Sequence, residues 1–169
     1  RWRRRGSTVR HRFELALAIL LLAAGCGGAS RPPAPAEVPA DAPVVILPDG
    51  APIAVEVVAD PETRALGLMH RPLLRADKGM LFLFPDTDVH SFWMKDTLIP
   101  LDMIWIDEGS RVVDVKANVP PCKVDPCPSY TPSGPARYVL ELAAGQAAPH
   151  GVIAGSRLTI RNIGQYNPR

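Results

Sequence analysis

The segment from residue 92 to residue 97, Phe-Trp-Met-Lys-Asp-Thr, combines large apolar side chains with an ammonium, a carboxylate and a hydroxyl group. An aromatic ring beside such polar groups forms a rim that can bind a small ligand. The simpler interpretation is that the apolar side chains pack on the two faces of a strand and that the polar residues form a solvated turn. The candidate ligand-binding residues in this segment are Trp93, Met94, Lys95, Asp96 and Thr97.

Asp102 is an acidic residue within an otherwise apolar run, residues 101–106. If this run is a strand, alternation places Asp102 on the same face as Ile104 and Ile106. A carboxylate in such a position needs a partner. It can bind a ligand or act as a catalytic acid, but a hydrogen bond to the backbone of a neighbouring turn is the commoner role. We count Asp102 as a sixth candidate ligand-binding residue.

The sequence lacks the motifs of common catalytic sites. No serine lies in a G-x-S-x-G elbow, and no glycine-rich phosphate-binding loop is present. An uncharacterised hydrolase-type enzyme could be built on the carboxylates of Asp102 and Glu141. Glu141 also alternates with Val139 along a predicted strand, which is consistent with a solvent-facing side chain. We therefore assign no catalytic residue and no cofactor.

Methionine and histidine together suggest a second chemistry, because thioether and imidazole groups suit copper in an oxidising compartment. Methionine is also a routine filler of irregular cores, and neither an M-x-x-M nor an H-x-H cluster is present. Copper or other metal handling therefore stays an alternative, with no metal ligand assigned. The residues concerned are Met69, Met80, Met94, Met103, His70, His90 and His150.

From residue 44 onward, short runs of β-branched and aromatic residues alternate with turn signals. Asp49 and Gly50 predict a tight hairpin turn, and Asp60 predicts the start of one short helix that ends near Met69. We predict a mainly β fold, a jelly-roll-like antiparallel β-sandwich or barrel with one short helix. The predicted strands are 44–47, 53–58, 79–84, 90–94, 101–106, 111–116, 137–142 and 157–161. The predicted single β-rich domain covers residues 44–163, and residues 164–169 form a C-terminal tail.

The first part of the chain resembles an export signal. An arginine-rich start precedes an apolar run, residues 15–25, that is too short to span a bilayer. The sequence LAAGC that ends at Cys26 resembles the lipobox of bacterial lipoproteins. We therefore predict a signal peptide over residues 1–25, lipidation of Cys26, and a Pro/Ala-rich tether over residues 26–43. An ordinary cleaved signal with an incidental cysteine is the alternative.

The glycine that follows Cys26 implies an anchor in the outer membrane, facing the periplasm, in a cell that has two membranes. Loss of the signal would also change the net charge. The whole chain has 19 basic and 17 acidic residues, of which six basic residues and one acidic residue precede Cys26. The part from Cys26 onward therefore has 13 basic and 16 acidic residues and a net charge of −3. The basic excess belongs to the segment that is expected to be removed, so we exclude nucleic acid as a partner.

Cys122 and Cys127 form a C-x4-C pair within a proline-rich segment. Outside the cytosol such a pair is normally oxidised, which predicts a disulfide. Half of a zinc site is the alternative, but no cluster of histidine or cysteine lies nearby in the sequence. So short a loop gains on the order of 2 kcal/mol from the bridge, which therefore shapes the loop more than it holds the domain together.

Five sequence elements occur in a distinctive order and spacing: GLMHR at 67–71, GMLF at 79–82, FWMKDT at 92–97, LD at 101–102 and YVLEL at 138–142. Together they resemble the domain-of-unknown-function 192 family of bacteria and archaea. The resemblance runs from about residue 53 to residue 160. It implies a compact jelly-roll-like β fold but no known reaction, substrate or catalytic residue. Asp96 departs from the family pattern, in which asparagine is more common.

Together, these features predict a non-enzymatic accessory lipoprotein. The lipid anchor attaches the protein to a membrane. The rim formed by residues 93–97 binds a small molecule, a glycan or an envelope protein. The anchor, the tether and a binding-type fold without catalytic motifs motivate this hypothesis. The alternatives are a metal-handling protein and a hydrolase-type enzyme.

Overall fold

The structure of the protein is a computed structural model in which residues 39–169 are described. The predicted signal peptide, the predicted lipidation site Cys26 and most of the predicted tether lie outside the described residues. In the described part of the chain, no helix is long and apolar enough to cross a membrane.

Residues 39–169 form nine strands, one α-helix and one 3₁₀ turn. The fold is mainly β, as predicted. The strands are β1 (Val44–Ile46), β2 (Pro52–Val58), β3 (Lys78–Asp88), β4 (Phe92–Trp93), β5 (Leu101–Ile106), β6 (Val112–Val119), β7 (Ser129–Tyr130), β8 (Ala136–Ala143) and β9 (Thr159–Arg161). The helix is α1 (Pro61–Leu66), and the 3₁₀ turn is Ala148–His150.

Seven strands form one sheet in the order β6-β5-β8-β3-β2-β1-β9, and β4 pairs with β7 in a second, two-stranded sheet. The pair β2 and β3 is parallel, and the other pairs of named strands are antiparallel. A parallel pair needs a crossover connection, and α1 lies in that connection. The predicted sandwich or barrel-like β fold is confirmed, with one parallel pair inside it.

The helix α1 begins where the sequence predicts. The carboxylate of Asp60 caps it by accepting a hydrogen bond of 2.9 Å from the backbone N–H of Thr63. The helix ends at Leu66, before the predicted end at Met69. The reason is Gly67, which leaves the helical conformation with a φ of 48°, in a region that glycine adopts at little cost.

Strand β5 lies between β6 and β8 and buries all six of its side chains. Successive side chains point to opposite faces of the sheet, so β5 contributes to two apolar clusters. The Ile104 cluster includes Val45, Leu47, Ile53, Leu81, Ile104, Ile106, Leu140 and Leu142. The Trp105 cluster includes Leu68, Met80, Phe82, Met94, Leu101, Met103, Trp105 and Val139. The alternation predicted for residues 101–106 is therefore correct.

Asp102 lies on the Ile104 side of β5 and is completely buried. Its Oδ1 accepts hydrogen bonds from the backbone N–H groups of Asn118 (2.7 Å) and Gly145 (3.1 Å), and its Oδ2 accepts one from Ala147 (2.8 Å). Asn118 lies where β6 bulges opposite Asp102, since two residues of β6 fill the space of one. The carboxylate thus holds β5, β6 and the loop after β8 together, which is the structural role predicted as the commoner one.

The disulfide between Cys122 and Cys127 joins Cα atoms 5.7 Å apart and closes a loop between β6 and β7. The backbone N–H of Cys122 donates a hydrogen bond of 3.4 Å to the carbonyl of Met94. The pairing of β7 with β4 adds a second connection to the same segment. The cross-linked loop therefore braces residues 92–94.

Replacing Asp102 should destabilise the fold strongly. In Asp102→Ala, one buried and two partly buried backbone N–H groups lose their charged acceptor, so we expect the free energy of unfolding to fall by roughly 3–5 kcal/mol. Urea unfolding of the purified protein measures this difference. The matched control is Asp86→Ala, an exposed aspartate on β3, for which a change within about 0.5 kcal/mol is expected. A loss below about 1 kcal/mol in Asp102→Ala would contradict the role given to this carboxylate.

Candidate functional site

A cavity of about 260 Å³ lies beside the Trp105 cluster. Four parts of the chain line it: α1 with the residues that follow it, β3, the segment 91–97, and β8. The cavity therefore combines segments that are far apart in the sequence. Its aromatic lining residues are Phe82, Phe84, Phe92 and Trp93. Its polar lining side chains are those of Arg64, Ser91, Thr97 and Glu141.

Phe92 is the centre of the aromatic wall. Its ring meets the ring of Phe82 edge to face at a centroid distance of 4.9 Å, and those of Trp105 and Phe84 at 5.9 Å and 6.3 Å. Such edge-to-face pairs contribute about 0.5–1.5 kcal/mol each beyond the area that they bury. Because each ring is held by its neighbours, the wall is formed before any ligand binds.

Trp93 lies at the open side of the cavity, with 51% of its surface exposed. The Nζ atom of Lys95 lies 5.3 Å from the centroid of its ring, within the range of a cation–π contact. The backbone of Trp93 is fixed by pairing with Ser129 of β7. An exposed indole on a fixed backbone is a surface on which a ligand can stack.

Arg64 of α1 lines the cavity, but its guanidinium group already donates to three backbone carbonyls. These are the carbonyls of Ala59 (2.6 Å), Leu83 (2.9 Å) and Arg169 (2.6 Å). The guanidinium carbon also lies 5.1 Å from the centroid of the Phe84 ring. Arg64 therefore fastens α1 to β3 and adds a positive charge to the cavity lining.

Glu141 lies on the Trp105 side of β8, buried to 4% exposure, and its side chain borders the cavity. Its neighbours across the sheet are Met80 of β3 and Met103 of β5, which are both buried. Among residues 39–169 we find no ion pair or hydrogen bond to its carboxyl group. Burial in these apolar surroundings raises the pKa of Glu141 to about 8, so its neutral form dominates at neutral pH.

The structure places two of the predicted site residues, Trp93 and Thr97, at the cavity. Met94 is 1% exposed within the Trp105 cluster and supports this segment from inside. Asp102 lies on the opposite face of the sheet, with its carboxylate occupied by the three backbone donors. The predicted rim and Asp102 are therefore separate features of the molecule.

Lys95 and Asp96 are exposed in the turn that follows β4. Asp96 adopts a φ of 53°, and its carbonyl accepts a hydrogen bond of 2.8 Å from the backbone N–H of His70, which itself has a φ of 61°. Asparagine and aspartate tolerate this left-handed region better than most residues. The bond ties the turn to the segment after α1, so the two sides of the cavity are joined.

From the sequence, Glu141 is a candidate only together with Asp102 in a possible hydrolase-type site and is not among the ligand-binding residues, and the interpretation of a solvent-facing Glu141 is wrong. The strand residues around it are apolar and buried, because β8 lies inside the sheet between β5 and β3. The run Val139, Leu140, Glu141, Leu142 contains one acid among three apolar residues. That pattern is the signal that could have predicted a strand with two buried faces.

The residues considered for copper have different surroundings. Met80, Met94 and Met103 lie in the Trp105 cluster. His90 stacks on Phe84 at a centroid distance of 3.6 Å, and His150 pairs with an aspartate of the first hairpin turn. In the described part of the chain, no group of three or more His, Cys, Asp or Glu side chains could hold a metal ion.

Glu141 should make the protein less stable as the pH rises. Its pKa is about 8 in the folded protein against an ordinary 4.5, so between these values the folded state keeps a proton that the unfolded chain has lost. The stability that the bound proton gives to the folded state is therefore fully present below the unfolded pKa. It falls as the pH rises through this window and is lost above the folded pKa. The whole difference is on the order of 4–5 kcal/mol.

Urea unfolding of the wild-type protein and of Glu141→Gln at several pH values tests this prediction. The difference in free energy of unfolding should shift in favour of the Gln variant as the pH rises from about 5 to about 8. Glu108→Gln, which changes an exposed glutamate, is the control and should leave the profile unchanged. A difference between Glu141→Gln and wild type that does not vary with pH would contradict the raised pKa.

Comparison with known proteins gives a family and two similar structures. Residues 44–160 match the model of the domain-of-unknown-function 192 family, described as an uncharacterized ACR. A protein from Sinorhizobium meliloti 1021, provisionally described as a transcription regulator, is 35% identical with a TM-score of 0.61, over 70% of this chain and 91% of that chain. A protein of unknown function from Novosphingobium aromaticivorans DSM 12444 is 32% identical with a TM-score of 0.62, over 76% of this chain and 94% of that chain. No curated protein matches the chain.

The family match covers more than half of the chain and nearly all of its strands. It includes the segment 92–97 and strand β8, so the aromatic wall and Glu141 both lie within the matched region. The chain therefore belongs to the domain-of-unknown-function 192 family.

Proposed function

We propose that this protein is an accessory domain that binds a small molecule, is held at the cell envelope by a lipid anchor, and uses the cavity above Glu141 as its binding site. The observation that supports this most is the buried carboxyl group of Glu141 at a preformed aromatic wall. Because this carboxyl group borders the cavity, it can form a hydrogen bond to a ligand that enters there.

The rim predicted from the sequence supports the same site. Trp93 offers a half-exposed ring beside the cavity, and Thr97 adds a hydroxyl group to its lining. Leu66, also at the cavity, is 56% exposed. Large apolar side chains that remain in water next to a cavity are typical of a surface that binds something.

The location at the envelope rests on the sequence and on the oxidised cysteine pair. The LAAGC sequence ending at Cys26 favours lipidation, and the tether over residues 26–43 would give the domain freedom to move near a membrane. A disulfide between Cys122 and Cys127 suits an exported protein. We propose an outer-membrane anchor that faces the periplasm.

One similar protein is provisionally described as a transcription regulator. For this chain, nucleic-acid binding is disfavoured by charge. The part after the proposed cleavage site has a net charge of −3, whereas proteins bind the phosphate backbone through a basic surface.

A second candidate function is general acid–base catalysis by Glu141. The raised pKa of its carboxyl group in a cavity favours it, since catalytic acids and bases share this property. Asp102 cannot complete a carboxylate pair with it, because Asp102 lies on the other face of the sheet. If the protein turns over a ligand, Glu141→Gln should lose turnover but keep binding. If the wild-type protein does not turn over a ligand that it binds, catalysis is ruled out for that ligand.

Trp93→Ala should weaken ligand binding without unfolding the protein. The purified protein is heated with a panel of metal ions, sugars and metabolites, since a ligand at one hundred times its dissociation constant stabilises a protein by about 2.7 kcal/mol. We expect a ligand that stabilises the wild-type protein to stabilise Trp93→Ala much less, because the stacking surface is lost.

The matched control is Ile153→Ala, which removes a side chain of similar exposure, 63%, that does not line the cavity. It should respond to the ligand as the wild-type protein does. A panel without any stabilising compound would count against small-molecule binding and would favour a protein partner. A ligand that stabilises Trp93→Ala as much as wild type would place the binding site elsewhere.

A further inference from the structure

Charges at the cavity disfavour a cationic ligand. Arg64 contributes a guanidinium group to the lining, and the ammonium group of Lys95 lies over the ring of Trp93. The guanidinium group of Arg64 already donates hydrogen bonds to three backbone carbonyls. It therefore has few donors left to bind an anionic ligand in a fork geometry, although its positive charge still repels a cation. The lining therefore suits a ligand without a net charge.

The neutral carboxyl group of Glu141 can both donate and accept a hydrogen bond. A hydroxyl group has the same two capacities, so the two form a matched pair. Hydroxyl side chains continue this chemistry along the rim. Thr97 borders the cavity, and Ser91, which also borders it, pairs with Thr131 at 2.9 Å.

The walls of the cavity suit the carbon skeleton of a sugar ring. Phe82, Phe84 and Phe92 cover one part of the lining, and Trp93 presents its ring at the open side. Aromatic faces carry negative partial charge and attract the weakly positive C–H groups of such a ring. At about 260 Å³, the cavity is smaller than the ~300–1,000 Å³ typical of drug-sized ligands, which leaves room for one ring.

We infer that the cavity binds an uncharged polyhydroxyl compound the size of one saccharide ring, with a ligand hydroxyl group paired to the carboxyl group of Glu141. This inference rests on the proposed function, whose binding site it specifies. It assigns Glu141 to recognition, with Trp93 as the stacking surface. Binding then depends on the protonated carboxyl group, so affinity falls as that group ionises.

Few other charged groups face Glu141. On the strands beside it, the register neighbours are Met80 and Met103, and Asp102 points to the opposite face. From α1, Arg64 reaches the cavity. His90 is half-buried and stacks on the cavity-lining ring of Phe84, and Arg137 of β8 donates to the carbonyl of Pro85. The remaining charged groups of α1, β3 and the adjoining segments are exposed; they are Glu62, His70, Lys78, Asp86, Asp88, Lys95 and Asp96. A change in affinity between about pH 7 and about pH 9.5 therefore reports chiefly on Glu141.

Calorimetric titration of the purified full chain tests the inference with defined probes. The uncharged probes are glucose, N-acetylglucosamine and inositol; choline and benzoate carry a positive and a negative charge. At about pH 7 we expect one of the uncharged probes to bind, and at about pH 9.5 its affinity should fall by roughly tenfold or more, because only a small fraction of Glu141 stays protonated. Glu141→Gln should lose this pH dependence, because an amide donates and accepts hydrogen bonds but does not ionise in this range.

Glu141→Leu, which has a similar size but no hydrogen-bonding group, should lose at least about tenfold in affinity at both pH values. Binding that is unaffected by Leu would overturn the inference. Binding of choline or benzoate alone would also overturn it, although the proposed binding function would survive. If a tetramer of N-acetylglucosamine binds more than about tenfold tighter than the monomer, the site binds several rings of a sugar chain, and the inference of a single-ring ligand is overturned. If no probe binds, the inference fails, and the thermal panel that tests the proposed function decides separately whether the cavity binds any small molecule.

Discussion

Burial of β5 and β8 on both faces is the constraint on which the rest of the structure depends. Both strands lie inside the seven-stranded sheet, and side chains of β5 enter both the Ile104 cluster and the Trp105 cluster. A side chain in the central part of such a strand cannot reach water by turning to the other face. Each polar side chain placed there therefore needs a partner inside the protein or a partner that enters from outside.

Asp102 and Glu141 meet this constraint in opposite ways. The chain bulges at Asn118 and turns at Gly145 to bring backbone donors to Asp102, so the protein itself satisfies that carboxylate. Glu141 faces the cavity instead, and burial there raises its pKa to about 8. The cost of burying this carboxyl group is therefore met at the cavity wall rather than by backbone donors of the protein.

Much of the fold can be predicted from local signals. Alternation predicted the two faces of residues 101–106, and capping chemistry at Asp60 predicted the start of α1. Asp96 has a left-handed conformation, which aspartate and asparagine tolerate better than most residues. The cavity could not be predicted, because it depends on the strand order that places β8 between β5 and β3 and on the crossover that brings α1 to the segment 91–97.

The oxidised loop connects the predicted export of the protein with its candidate site. Trp93 lies on β4, a two-residue strand whose partner is the equally short β7. Two such strands are marginally stable by themselves. The disulfide between Cys122 and Cys127 constrains the loop before β7, and the N–H of Cys122 donates to Met94. The bridge is therefore placed to hold the segment that carries Trp93, and such a bridge persists in an oxidising compartment.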